Sequence, residues 1–269
     1  MSTLIKILFF LLLICFVFYG GAMGALYLKQ ESLLFYPFPL SQDYEYSFNT
    51  AFDEINLTAE DGAVLNALHF KQDNPKGVLL YYHGNAGSLR IWGEVGEYFA
   101  PLGWDVVIMD FRTYGKSTGE LSQENLYKDA ELFYNYTLDH YPEDKIVVYG
   151  RSLGTGIATN IAAKRNPQKM ILETPYWSIL SMAKVHYPWL VYDFLVKYPM
   201  HSHKFIQEVN CPIHILHGTA DKVVPYEQGK KLYESIKKKK AEFITFDDGG
   251  HSNLRFFDLY KKSMVKILH

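Results

Sequence analysis

The stretch Val147-Val148-Tyr149-Gly150-Arg151-Ser152-Leu153-Gly154-Thr155-Gly156 decides how the rest of the chain reads. A β-branched apolar run ends in Gly-x-Ser-x-Gly and passes straight into a small-residue helical stretch, Ile157 to Lys164. That is the pattern of a strand, a sharp turn and a helix, with Ser152 at the apex. Such a turn strains the serine backbone and stands its hydroxyl clear of the sheet. Gly150 and Gly154 fit where the incoming strand and outgoing helix come within contact distance and a Cβ would clash. The first helical amide, on Leu153, then points to where an oxyanion would form. A Gly/Ser turn without chemistry carries the same five residues. The placement between strand and helix is what favours a nucleophile.

Outward from that turn, Gly77–Tyr82 (GVLLYY) is a continuous apolar run, as expected of a strand buried on both faces of a parallel sheet. Trp104–Asp110, Lys145–Gly150, Lys169–Glu173, Pro212–His217 and Ala241–Phe246 read as further strands, and Phe52 to Phe70 as two strands around a Glu60-Asp61-Gly62 turn. Helical stretches run from Leu89 to Phe99, Leu121 to His140, Tyr226 to Lys240 and Ser252 to His269. Strand and helix alternate, which predicts a doubly wound, mostly parallel α/β sheet. With 269 residues, 48% of them hydrophobic, there is material for one large core. Residues 174–209 break the rhythm with Tyr176, Trp177, Tyr187, Trp189, Tyr192, Phe194, Tyr198 and Phe205. An insertion of that length is long for a plain connection, so it is expected to cap the site and line an acyl-chain pocket.

A serine hydroxyl needs a base within hydrogen-bond reach and an acid to orient that base. In a fold of this type the order is serine, acid, histidine, each at the C-terminal end of a strand. Ser152, Asp221 and His251 satisfy both the order and the positions. Glu173 is a rival acid, because it also ends a strand between the serine and the histidine. Asp247 and Asp248 lie too close to His251 in one loop to accept its Nδ1–H. His217 reads as a structural neighbour of the Asp221 turn. His83-Gly84-Asn85-Ala86-Gly87 leaves a buried strand, and the Asn85 N–H is the candidate second oxyanion donor beside Leu153, with His83 bracing the loop. Asp110 and Arg112 are expected to shape the rim through ion pairs or loop hydrogen bonds. His201 and His203 form a His-x-His pair without a third ligand at useful spacing, so no metal is expected.

Before the domain, Ile7 to Leu28 is 22 residues without a charge. As a helix it would be about 33 Å long, enough to cross a bilayer core. The rival is a cleaved signal peptide with Ala22-Met23-Gly24 as the small-x-small site, which would make the protein secreted. Apolar character continuing past that site favours the anchor. Lys6 places the N-terminus on the cytoplasmic side and the domain across the membrane. Residues 1–6 are then a tail, 7–28 the transmembrane anchor and 30–269 the domain. The net charge of −2 gives no electrostatic footprint for nucleic acid. Cys15 and Cys211 support neither a disulfide framework nor a thiolate metal site.

These motifs together resemble the α/β-hydrolase superfamily from roughly Leu33 to the C-terminus. They are His83 to Gly87, Asp110 to Gly115, Gly150 to Gly154, His217 to Pro225 and Gly250-His251. An anchor followed by Leu33-Leu34-Phe35-Tyr36-Pro37 is similar, more narrowly, to the membrane-anchored bud-emergence-protein-like branch. The resemblance implies a serine hydrolase acting on carboxylic esters or thioesters, of lipids or acylated proteins, with no cofactor or metal. It carries the nucleophile to Ser152, the acid to Asp221, the base to His251 and the oxyanion donors to the Asn85 and Leu153 amides. A peptidase or amidase would use the same triad, and the fold also serves non-catalytic scaffolds. One departure is Thr113, where the loop after Asp110 often has glycine in the Arg-Gly-Tyr-Gly form.

Overall fold

The structure, a computed structural model, describes residues 3–187, 195–237 and 240–269. An eight-stranded sheet organises it. Its strands are β1 (Phe52–Thr58), β2 (Val64–Phe70), β3 (Val78–Tyr82), β4 (Asp105–Met109), β5 (Ile146–Arg151), β6 (Lys169–Glu173), β7 (Ile213–Gly218) and β8 (Ala241–Phe246). The order across the sheet is β8-β7-β6-β5-β3-β4-β2-β1. β2 runs antiparallel to both β1 and β4, and every other pairing is parallel. The chain has the α/β-hydrolase fold, with the mostly parallel sheet expected from the continuous apolar runs.

The helices are α1 (Thr3–Leu28), α2 (Gln30–Leu34), α3 (Leu89–Trp92), α4 (Glu94–Phe99), α5 (Gln123–His140), α6 (Leu153–Lys164), α7 (Ile179–His186), α8 (Ser202–Phe205), α9 (Tyr226–Glu234) and α10 (Asp258–Leu268). Successive strand residues point to opposite faces, so each central strand feeds two cores. In β5, Ile146 and Val148 join Phe133 of α5 and Ile157 of α6. Val147 and Tyr149 join Phe99 of α4 and Met264 of α10 on the other face. Each fully buried Val, Leu or Ile contributes about 1.5–3 kcal/mol, so the sheet centre anchors the fold. Ser122 starts α5 by accepting from the Asn125 N–H, and Ser178 and Ser181 close a reciprocal cap at the start of α7.

Several boundaries differ from the sequence expectation. The helix expected over Leu89–Phe99 is divided at Gly93 into α3 and α4, with Gly93 itself keeping right-handed helical dihedrals (φ −58°, ψ −23°) and the Phe48 ring filling the space a Cβ would take. The helix expected from Tyr226 ends at Glu234, and the Ile236 N–H turns to the Tyr233 carbonyl in the tighter pattern of a helix end. The final helix begins at Asp258, after a short 3₁₀ turn over Leu254–Phe256.

α1 is long and apolar enough to cross a membrane, and its residues are exposed except near its C-terminal end. Immediately after α2, Tyr36–Pro37 pairs in parallel with Ala86–Gly87. The segment leaving the apolar helix is thereby pinned against the loop at the end of β3.

Candidate active site

Three loops leaving the C-terminal ends of β5, β7 and β8 converge. Ser152, between β5 and α6, adopts φ 50° and ψ −115°, a left-handed conformation that costs an L-residue about 1–3 kcal/mol. The surroundings hold it there. The Ser152 N–H donates to the Glu173 carbonyl at 2.9 Å, and a Cβ on Gly154 would overlap the Tyr82 carbonyl oxygen. Thr155 reinforces the turn by donating from both N–H and hydroxyl to the Ser152 carbonyl.

His251 Nε2 lies 2.9 Å from Ser152 Oγ, and its Nδ1 lies 2.8 Å from Asp221 Oδ2. A carboxylate only accepts, so Nδ1 carries the proton and Nε2 is the nitrogen free to accept from the serine hydroxyl. Asp221 is buried, and its Oδ1 accepts from the Val223 and Val224 N–H groups at 2.9 Å each. Burial opposes ionisation of Asp221. Hydrogen bonds from His217 and His251 outweigh it and hold the carboxyl well below the usual carboxylate range. The result is a fixed anion, a tautomer set by it, and a hydroxyl presented to the resulting base.

The other acids are occupied elsewhere. Glu173 is buried, with Tyr149 Oη 2.5 Å from Oε2 and Arg151 Nε 3.2 Å from Oε1. Arg151 in turn donates to the His251 carbonyl at 3.4 Å and lies over the Trp92 ring. Glu173 therefore braces the floor under the serine through Arg151. Asp247 and Asp248 are exposed. His217 Nε2 donates to the Val224 carbonyl at 2.9 Å and stands 3.5 Å from Asp221 Oδ2.

At the end of β3, His83 is buried, with Nδ1 donating to the Gly84 carbonyl and Nε2 3.3 Å from Asp110 Oδ1. Asp110 accepts from the Leu89 N–H, so His83 and Asp110 tie the loop carrying Asn85 to β4. Burial raises the Asp110 carboxyl. Arg112 bridges Asp129 and Asp61 and shapes the wall below. Sequence reasoning missed Tyr114. Its hydroxyl donates to the Asn85 carbonyl at 2.5 Å and accepts from the Tyr36 N–H at 3.2 Å. Its place in the Asp110–Gly115 motif was a signal, but the partner 29 residues away was not readable.

Ser152, Leu153 and Asn85 open on one cavity of about 460 Å³. Leu153 is the first residue of α6, so its N–H has no acceptor inside the helix. The segment expected to cap the site lines the cavity through Tyr176, Met182, Tyr187 and Leu195. Other aromatics of that segment turn to packing. Trp177 stacks on His203 at 4.6 Å, Tyr198 meets Phe35 edge-on, and Phe205 meets Tyr127. Trp189, Tyr192 and Phe194 lie outside the described residues. His203 Nδ1 bonds the Trp177 carbonyl, and among the described residues no group of His, Cys, Asp or Glu is arranged to hold a metal.

Residues 77–199 match the family described as "alpha/beta hydrolase fold", and residues 191–255 match "Serine aminopeptidase, S33". The chain is 32% identical over 203 residues to a zebrafish (Danio rerio) protein named lysophosphatidylserine lipase ABHD12, covering 66% of this chain and 53% of that one. It is 27% identical over 238 residues to an uncharacterized Acanthamoeba polyphaga mimivirus protein, covering 79% and 80% of the two chains. The chain spans about half the length of the lysophosphatidylserine lipases it matches. Among solved structures, an esterase from Pyrococcus furiosus superposes with a TM-score of 0.68 at 20% identity, covering 86% of this chain and 98% of that one. A Paleococcus ferrophilus monoacylglycerol lipase gives 0.61 at 21% identity, covering 76% and 98%.

Proposed function

The chain belongs to the α/β-hydrolase superfamily, and from that premise we propose that it is a membrane-anchored serine hydrolase cleaving carboxylic esters of lipid-like, long-acyl substrates. The observation that carries this reading is the hydrogen-bonded series Ser152–His251–Asp221 opening on an apolar cavity. Ser152 Oγ attacks the ester carbonyl carbon as His251 Nε2 takes its proton. The tetrahedral oxyanion accepts hydrogen bonds from the Leu153 and Asn85 N–H groups, each worth about 3–4 kcal/mol in the transition state. His251 returns the proton to the departing alkoxide, leaving an acyl-Ser152. Water then attacks with His251 again as base, and the free acid leaves. Asp221 holds the imidazole tautomer and stabilises its charged form throughout.

In this reading residues 7–28 span the bilayer once, 30–269 form the hydrolase domain on the non-cytoplasmic side, and 174–209 cap the site. The lipase and esterase names among the relatives support a lipid ester. A thioester, or the acyl group of an acylated protein, fits the same chemistry. The match to a serine aminopeptidase family over residues 191–255 keeps amide hydrolysis as the second reading. A fluorophosphonate probe tests the central claim. Wild type is expected to be labelled and Ser152→Ala is not, and a panel of matched esters, thioesters and amides then ranks the leaving groups. Folded wild type that takes no label would overturn the catalytic reading and favour a scaffold.

A further inference from the structure

The membrane helix contributes to the site itself. Met23, Leu26 and Tyr27, in the last two turns of α1, line the same cavity as Ser152 and Leu153. Met23 is buried against Leu180, Ala183 and Leu195, so the wall is packed from behind by the cap. Hydrogen bonds fix the junction. The Gln30 side chain accepts from the Lys197 N–H at 2.8 Å and donates to the Leu195 carbonyl. Glu31 accepts from Lys197 Nζ at 3.1 Å and Tyr198 Oη at 3.2 Å, and Lys197 Nζ stands 4.8 Å over the Tyr27 ring.

The level of this wall follows from bilayer dimensions. A hydrocarbon core takes about 20 helical residues. Counted from Ile7, the first residue past Lys6, the far boundary falls near Leu26. The rim of the cavity includes Leu33, Tyr36, Tyr187 and Val223, each about half exposed. Exposed apolar side chains grouped around the mouth of a pocket mark a surface that meets something apolar. Here the anchor brings the lipid to them. The volume of about 460 Å³ is in the lower part of the range for small-ligand sites, ~300–1,000 Å³, and suits one acyl chain.

We propose that the C-terminal turns of α1 form a wall of the acyl-binding pocket, so that a lipid ester passes its chain from the bilayer boundary along the helix to Ser152. This rests on the serine-hydrolase reading above and adds the source and path of the substrate. The anchor is then part of the specificity determinant as well as a tether. A chain seated between Met23, Leu26 and Met182 would leave its ester carbonyl at the mouth of the nucleophile turn.

The test uses the full chain in vesicles, with p-nitrophenyl acetate and dodecanoate as probes. Met23→Trp and Leu26→Trp fill the wall, and Leu26→Ala enlarges it. Phe10→Trp, on an exposed part of the same helix, is the control. The tryptophan variants are expected to lower the dodecanoate-to-acetate ratio of kcat/KM at least tenfold. Leu26→Ala is expected to move the chain-length optimum upward, and Phe10→Trp to leave the ratio unchanged. Dodecanoyl glycerol placed in the enzyme's own vesicles is expected to turn over at least tenfold faster than the same ester supplied in enzyme-free vesicles. Fluorophosphonate labelling of each variant reports an intact Ser152 and a folded domain. Labelled variants with an unchanged chain-length profile, or equal turnover from both vesicle populations, overturn this proposal and leave the hydrolase reading standing. Absence of labelling in wild type removes both.

Discussion

Thr113→Gly should make this protein more stable. Thr113 follows β4 in the loop that carries Asp110 and Tyr114, and its φ of 71° puts a β-branched residue in the left-handed region. That conformation costs an L-residue about 1–2 kcal/mol, and glycine adopts it without the Cβ clash. Thr113 Oγ1 is also buried without a hydrogen-bond partner among the described residues, a further cost of about 1–3 kcal/mol. Against these gains, glycine loses about 0.5–1 kcal/mol more backbone entropy on folding. The net expectation is a gain of about 1–4 kcal/mol, at roughly 3 °C in midpoint per kcal/mol for a domain of this size. Thermal unfolding in detergent by intrinsic fluorescence measures it, with Thr113→Ala alongside. Alanine removes the orphaned hydroxyl but keeps the strain, so it should fall between threonine and glycine. A glycine variant no more stable than the alanine one would refute the strain argument. One less stable than wild type would mean that the threonine methyl packs well enough to outweigh both penalties.

Three further outcomes follow from the buried ionisable groups. Asp221→Asn should slow ester turnover by about 10⁴-fold, the order of loss seen when the orienting acid of a serine triad is removed or neutralised. Glu173→Gln should slow it far less but destabilise by about 1–3 kcal/mol in denaturant unfolding, because the partly buried Arg151 loses its opposite charge; comparable losses of turnover in both would refute the separate roles. His69 is buried between the Tyr136 and Tyr141 hydroxyls, and burial, with Lys71 and His140 adding to it, pulls its imidazole down to about 4 from 6.5. Between those values the unfolded chain binds more protons, so stability falls as pH drops from 6.5 towards 4, by roughly 3 kcal/mol in all. Unfolding at pH 7, 5.5 and 4.5 should show that slope in wild type and lose it in His69→Gln.

What the sequence made legible was whatever depends on near neighbours. The central strands announce themselves because both faces are buried, so β3 is an unbroken apolar run and β4 and β5 are apolar apart from Asp105 and Arg151 at their ends. The turn at Ser152 is readable because its steric demands, small residues on both sides of the serine, fall within five positions. What was not readable depends on distant partners. Gly93 can only be glycine because the Phe48 ring, 45 residues earlier, occupies the space a side chain would need. The aromatic density of residues 174–209 suggested an aromatic pocket wall. Trp177 and Phe205 instead pack against His203 and Tyr127, and aliphatic side chains line much of the cavity. Composition reports how much apolar surface a segment must bury, and leaves open against what.

The same reasoning explains why the N-terminal apolar helix read as a separate module although its end is bonded to the domain. A run of 22 uncharged residues specifies a helix and a length, but nothing in it specifies where its far end docks. The docking is written in residues after the run. Gln30 and Glu31 bind the cap backbone and side chains, and Tyr36–Pro37 then pairs with the loop that carries Asn85. Tyr114 completes the connection by bonding Tyr36 on one side and Asn85 on the other. Within about ten residues, the chain passes from the apolar helix to the 195–198 segment and then to the loop facing Ser152, held by hydrogen bonds at each step. No flexible linker separates the apolar helix from the Asn85 loop. The end of that helix and the loop facing Ser152 are held by one continuous set of hydrogen bonds.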